Sequence, residues 1–171
     1  SYGRRMFAHK GLWTDVYASV YRVLLGYFFG ALFGLVFGYV MGMSRKVRAA
    51  LEPMLNALYV VPKLALISIF LVVLGFKERP VLFVIAITVF FFVWIQTLTS
   101  VMSVSTGYRE AILSFGAKKW QLFRHVLFPA SLPPVFVGLR VSAGVSVLTM
   151  VVVEFAFAPS RGGRPVGIGY V

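Results

Sequence analysis

The chain has 171 residues, of which 60% are hydrophobic and only 13% charged. A soluble domain of that length has no use for so much apolar surface, so the composition excludes an ordinary globular protein and points to a polytopic membrane protein. The formal net charge is +12 and cysteine is absent, which removes disulfides and thiolate metal sites. The basic residues flank apolar runs, so their charge is assigned to anionic headgroups and topology rather than to nucleic acid.

Ser1 to Lys10 is polar and basic, without the apolar core and cleavage site of a signal peptide. Four later segments are long enough to cross a bilayer, which takes about 20 apolar residues as helix. They are Val23 to Met43, Met54 to Phe76, Val81 to Thr106 and Pro134 to Phe157. The second is interrupted by Pro62 and Lys63, and the fourth contains Arg140 and Glu154. None alternates polar and apolar residues, so barrel strands are excluded. The expected fold class is all-α, a membrane helix bundle with about four spanning helices in this chain.

Gly26, Gly30, Gly34, Gly38 and Gly42 recur every four residues along the first span. That spacing draws a slowly drifting groove along one side of a helix. Small residues in lipid let backbones approach closely, so the groove is read as a packing surface, one that also suits helices that slide.

The connections Ser44 to Pro53, Lys77 to Pro80 and Gly107 to Pro133 are expected as loops. The first carries Arg45, Lys46 and Arg48, and two spans separate it from the third. Both therefore lie on one side of the membrane, and if that side is the cytoplasm their basic residues agree with the positive-inside rule. Arg4, Arg5 and Lys10 would then lie outside, against the same rule.

Within the long connection, Glu110 to Phe115 reads as a short helix ended by Gly116 in a left-handed conformation. From Ala117 the pattern turns amphipathic. Trp120, Leu122, Phe123, Val126 and Leu127 are apolar, and Lys118, Lys119, Gln121, Arg124 and His125 polar. Pro129 is expected to close this second helix. The segment is either an interfacial helix lying on the headgroups or a docking element for a partner.

Glu110, Ala111, Gly116, Val126 and Pro129 fall at the spacing of the EAA loop of ABC importer permeases, which this segment resembles. Ile112 stands in place of the motif's second Ala, and Phe128 in place of its Leu. Asn56 to Ile67, and Glu154 followed by Gly167-Ile168-Gly169-Tyr170, are similar to the nitrate, sulfonate and taurine branch of those permeases. The resemblance implies the type I importer permease fold over residues 1–171, with 107–133 as a cytoplasmic coupling loop. It also implies a further spanning helix before and after this region. Glu110, Ala111, Phe115, Gly116, Ala117 and Trp120 would contact a cytoplasmic ATPase subunit. That subunit would hold the ATP and Mg, and this chain no cofactor. The other implied partners are a second permease chain, an extracytoplasmic solute-binding protein and membrane lipid. The implied solute is a small anion, the alternatives being a thiamine-precursor pyrimidine or another small nutrient. An ATP-independent secondary transporter is the rival class.

Arg140 and Glu154 are fourteen residues apart on the fourth span, roughly 21 Å along a helix and too far to pair. Arg140 either snorkels or attracts an anionic solute, as Lys63 would. Glu154 serves either a structural hydrogen bond or a gate. Asn56 and Gln96 are read as interhelical hydrogen-bonding groups before solute ligands, and Pro62 as a helix break beside a cavity. His9 and His125 are isolated and suggest no metal site. No Gly-rich Lys loop for nucleotide phosphates occurs.

Overall fold

A computed structural model describes residues 10–61 and 79–157, with side chains described over 16–61 and 80–153. Every regular element among them is helical. In chain order they are α1 (Lys10–Met43), α2 (Arg45–Val60), α3 (Arg79–Met102), α4 (Thr106–Ser114), α5 (Lys119–Leu122), a π-helical turn (Phe123–Leu127) and α6 (Phe128–Phe157).

α1 is apolar on all sides, so polarity cannot choose which face turns inward. Side-chain size chooses instead. The glycine stripe is buried, while Leu24, Phe28, Leu32, Phe33 and Val36 are exposed. The stripe lies flat against α3. A Cβ added at Gly34 would sit 2.8 Å from the Phe90 carbonyl oxygen and 2.9 Å from Val93 Cβ, and one at Gly38 would sit 2.5 Å from Thr97 Cβ. Gly30 meets the Ala86 carbonyl oxygen in the same way. Close contact with α3 backbone therefore runs from Gly26 to Gly38. Gly26 faces Ile85 and Gly42 faces Val101, so α1 and α3 run parallel.

α6 returns antiparallel to both. Met150 packs with Ile85 and Val89 near the start of α3, and Gly138 receives the Gln96 side chain toward its end. The Tyr27 hydroxyl donates to the Leu139 carbonyl oxygen at 2.9 Å. Most of the buried hydroxyls are satisfied within their own helices, as where Thr88 donates to Val84, Ser146 to Ala143 and Thr149 to Val145, whereas Thr97 Oγ1, opposite Gly38, is buried without a partner. Donation to a carbonyl one turn back lets Ser and Thr enter an apolar interface with the hydroxyl paired.

The element boundaries differ from the sequence expectation in four places. α1 begins at Lys10, and its apolar stretch extends back to Val16. The basic stretch after Ser44 is the first half of α2, not a loop. Ser44 Oγ accepts from the Val47 amide at 3.4 Å and caps it. Along α2, Val47, Leu51, Leu55 and Tyr59 form a stripe against Phe91, Trp94 and Leu98, with Trp94 Nε1 3.1 Å from Met41 Sδ. α2 ends at Val60, and Val61 is extended at ψ 128°, the conformation a following proline enforces. α3 stops at Met102, four residues before the expected end, because Ser105 Oγ accepts from the Gly107 amide and starts α4.

The fourth difference is at Pro129, which does not close a helix. The chain winds on from Lys119 to Phe157. The preceding π turn carries an i→i−5 bond from the Phe128 amide to the Phe123 carbonyl oxygen. The wider turn gives the proline ring room and interrupts the i→i−4 ladder just where Pro129 has no N–H to contribute. Three helices among the described residues are long and apolar enough to cross a membrane, and the protein is a multi-pass membrane protein. Most of the expected second span, with Pro62 and Lys63, lies outside the described residues, as do Lys77, Glu78 and Gly167-Ile168-Gly169-Tyr170, while Arg79 and Pro80, expected in the connection from Lys77, open α3 instead.

Candidate functional site

The C-terminal ends of α1 and α3 and the N-terminal end of α6 meet at one end of the bundle. The basic start of α2 and the helices α4 and α5 cluster there, so Arg45, Lys46, Arg48, Arg109, Lys118, Lys119 and Arg124 share that end.

The turn between α4 and α5 is built around Gly116. Its φ is +79°, in the left-handed region. The Gly116 amide donates to the Leu113 carbonyl at 3.0 Å and the Ala117 amide to the Ile112 carbonyl at 3.3 Å. These are the two reverse bonds of a Schellman cap. Gln121 Oε1 then accepts from the Lys118 amide at 2.7 Å and opens α5.

This turn throws apolar groups outward. Phe115 at the cap is 90% exposed and Trp120 62%. Tyr108, Glu110, Ala111 and Gly116 are exposed and Ala117 half-buried. An added Cβ at Gly116 would meet nothing within 4 Å. Trp120 belonged to the apolar pattern, yet it faces away from the bundle. Leu122 and Leu127 supply the inward side, packed with Val101 and Val104.

Two links join this projecting segment to the spanning helices. Arg109 Nη2 donates to the Val101 carbonyl oxygen at 2.6 Å. That oxygen belongs to the last turn of α3, where the helix dipole favours a cation. Burial, and then the neighbouring Arg48, lower the pKa of the Arg109 guanidinium. The second link is Tyr39 of α1. Its ring lies 5.5 Å from Phe123 and 5.6 Å from Phe128, and its hydroxyl 3.2 Å from Ser131 Oγ. Sequence reasoning missed both residues. A lone Arg in a polar stretch and a Tyr in an apolar run carry no periodic signal. The cue available for Arg109 was its place just after an apolar helix end.

The other candidates do not gather into one site. Gln96 is half-buried between α3 and α6, its Nε2 3.5 Å from the Pro134 carbonyl oxygen and its chain against Gly138. Asn56 is exposed on α2 and Arg140 exposed on α6. Glu154 lies on the last turn of α6, and its side chain is outside the described residues, as are Pro62 and Lys63. Among the described residues no cluster of His, Asp or Glu suits a metal ion.

Residues 30–170 match the family described as the binding-protein-dependent transport system inner membrane component. The chain belongs to that family. Its relatives include a nitrate import permease protein of Synechocystis, 35% identical over 161 residues, covering 94% of this chain and 56% of that protein. A putative aliphatic sulfonates transport permease protein of Escherichia coli is 36% identical over 160 residues, covering 94% and 59%. A taurine transport system permease protein of the same organism is 33% identical over 160 residues, covering 94% and 58%. The chain thus spans about three fifths of the length of these curated relatives. A methionine ABC transporter solved in inward-facing conformations superposes with a TM-score of 0.74 at 19% identity, covering 94% of this chain and 77% of that chain. At that identity the likeness concerns the fold, which is the type I importer permease fold expected from the loop.

Proposed function

We propose that this binding-protein-dependent transport component is the membrane-spanning permease subunit of an ATP-driven importer. It moves a small anionic solute of the nitrate, sulfonate or taurine class across the bacterial cytoplasmic membrane by alternating access. Relatives named for transport of nitrate, aliphatic sulfonates and taurine support the solute class. The basic end of the bundle faces the cytoplasm, in keeping with the positive-inside rule.

One observation carries the reading: the outward-facing turn at Gly116. Phe115 and Trp120 spend apolar area on water, an arrangement that suits a surface held for a partner. Residues 107–133 are the coupling loop. Glu110, Ala111, Phe115, Gly116, Ala117 and Trp120 contact a separate ATPase subunit, which holds the ATP and Mg. When two such subunits close, they pull the loops of two permease chains together. Arg109 passes the displacement to α3, and Tyr39 passes it to α1. The solute arrives from an extracytoplasmic binding protein. Asn56, Pro62, Lys63, Gln96, Arg140 and Glu154 remain the candidates for the translocation path.

Uptake of radiolabelled nitrate or taurine, with and without cellular ATP, tests this function. Uptake is expected to fall to background on ATP depletion. Uptake that survives depletion and follows an ion gradient would assign the chain to the secondary transporters instead.

A further inference from the structure

A second feature sits on the membrane side of the projecting turn. A cleft of 410 Å³ opens between α2, the ends of α1 and α3, and the α4–α5 segment. Four basic side chains line it: Arg45 and Arg48 from α2, Arg109 from α4 and Lys119 from α5. No carboxylate lines it among the described residues. Glu52 is paired with Arg48, 3.8 Å from its Nε, and does not reach the cleft wall. The rest of the wall is mostly apolar, with Met43, Met102, Leu113, Leu122 and Leu127.

Gathering like charges in a partly buried space is unfavourable unless something neutralises them. Arg109 registers that cost, since burial and Arg48 together act against its charged form. Its Nη2 is occupied by the Val101 carbonyl, but its Nε is buried without a hydrogen-bond partner. An anion in the cleft would offset the repulsion.

The position of the cleft selects the anion. Met43 and Met102 are the last residues of the apolar helices α1 and α3. The cleft therefore opens at the membrane surface, where headgroup phosphates lie. A free phosphate has no use for the apolar half of the wall, whereas the glycerol and first acyl carbons of a lipid fill it. We propose that this cleft holds the phosphodiester headgroup of an anionic phospholipid, clamped by Arg45, Arg48, Arg109 and Lys119. A bound lipid braces α2 against the coupling segment, so that membrane composition bears on how firmly that segment is held. The site is independent of what the permease carries.

Native mass spectrometry of the intact, delipidated permease, given equal phosphatidylglycerol and phosphatidylcholine, tests this. The phosphatidylglycerol complex should predominate roughly ten-fold, as expected for a few basic side chains at an anionic surface. The double variant Arg45→Gln/Lys119→Gln should lose that preference with unchanged thermal unfolding. The charge-matched Lys46→Gln/Arg124→Gln, at the same end but off the cleft wall, should keep it. Should the first double variant not fold, Arg45→Gln alone, at an exposed position, should weaken the preference. Equal binding of the two lipids, or equal loss in both double variants, would overturn the site. Displacement of the lipid by millimolar inorganic phosphate would make it a free-anion site. Displacement by the ATPase subunit would make it a protein interface. Either result rejects the lipid.

Discussion

The Arg109 guanidinium and the Val101 carbonyl oxygen are 2.6 Å apart, and this bond fastens α4 to the last turn of α3. A hydrogen bond from a charged group is worth on the order of 1.5–3 kcal/mol. Arg109→Gln should therefore lower solute uptake about ten-fold while the permease stays in the membrane and still binds its ATPase. Arg109→Lys should restore part of the uptake, because a cation remains at the helix end. Uptake, membrane abundance and ATPase binding compared across both variants check this. Loss of ATPase binding in Arg109→Gln would show that Arg109 belongs to the dock rather than to the link.

The glycine stripe supplies a second prediction. A side chain at Gly34 meets the Phe90 carbonyl and Val93 within 3 Å, and neither is a flexible tip. Overpacking of this kind costs about 1–3 kcal/mol. Gly34→Leu should lower the membrane level or thermal stability of the permease clearly, and Gly34→Ala to a lesser degree. Normal melting of Gly34→Leu in detergent would mean that α1 and α3 do not approach as closely as described.

The turn at Gly116 separates backbone strain from docking. Its φ of +79° disfavours any side chain, yet an added Cβ meets nothing within the chain. Asn tolerates the left-handed region better than other residues. Gly116→Asn should therefore fold at near-normal abundance and weaken ATPase binding less than Gly116→Arg. Failure of Gly116→Asn to accumulate in the membrane would trace the effect to folding.

Phe115 and Trp120 contribute little to the bundle, being 90% and 62% exposed. Phe115→Ala and Trp120→Ala should leave thermal stability within about 0.5 kcal/mol, the usual range for surface substitutions. Each should weaken association with the ATPase at least several-fold, as aromatic anchors at an interface do. Titration of ATPase onto detergent-solubilised variants measures both effects.

What was legible in the sequence depended on the kind of signal. Glycines at every fourth position mark one face of a helix, but only the fold shows that the face meets α3 rather than a neighbouring chain. Gly116 was readable because a glycine between a helical run and an amphipathic one has few other uses. The start of α2 was misread although Ser44 was a usable cap signal. Arg45, Lys46 and Arg48 resembled a loop, yet Val47, Leu51 and Leu55 already made the stripe that packs on Trp94. Pro129 misled for a physical reason, since a π turn has no signature in a pattern built on a 3.6-residue period. Arg109 and Tyr39 act through tertiary partners, Val101 and Ser131, which local pattern does not reveal.

The central claim is that the Glu110–Pro129 segment couples this permease to a separate ATPase. Affinity purification of wild-type and Gly116→Arg permease from cells co-expressing the ATPase, with uptake measured in the same cells, tests it most directly. The account predicts that the ATPase co-purifies with wild type. With Gly116→Arg it should be lost, and uptake should fall to background at equal membrane abundance. Full ATPase recovery and normal uptake with Gly116→Arg would contradict it.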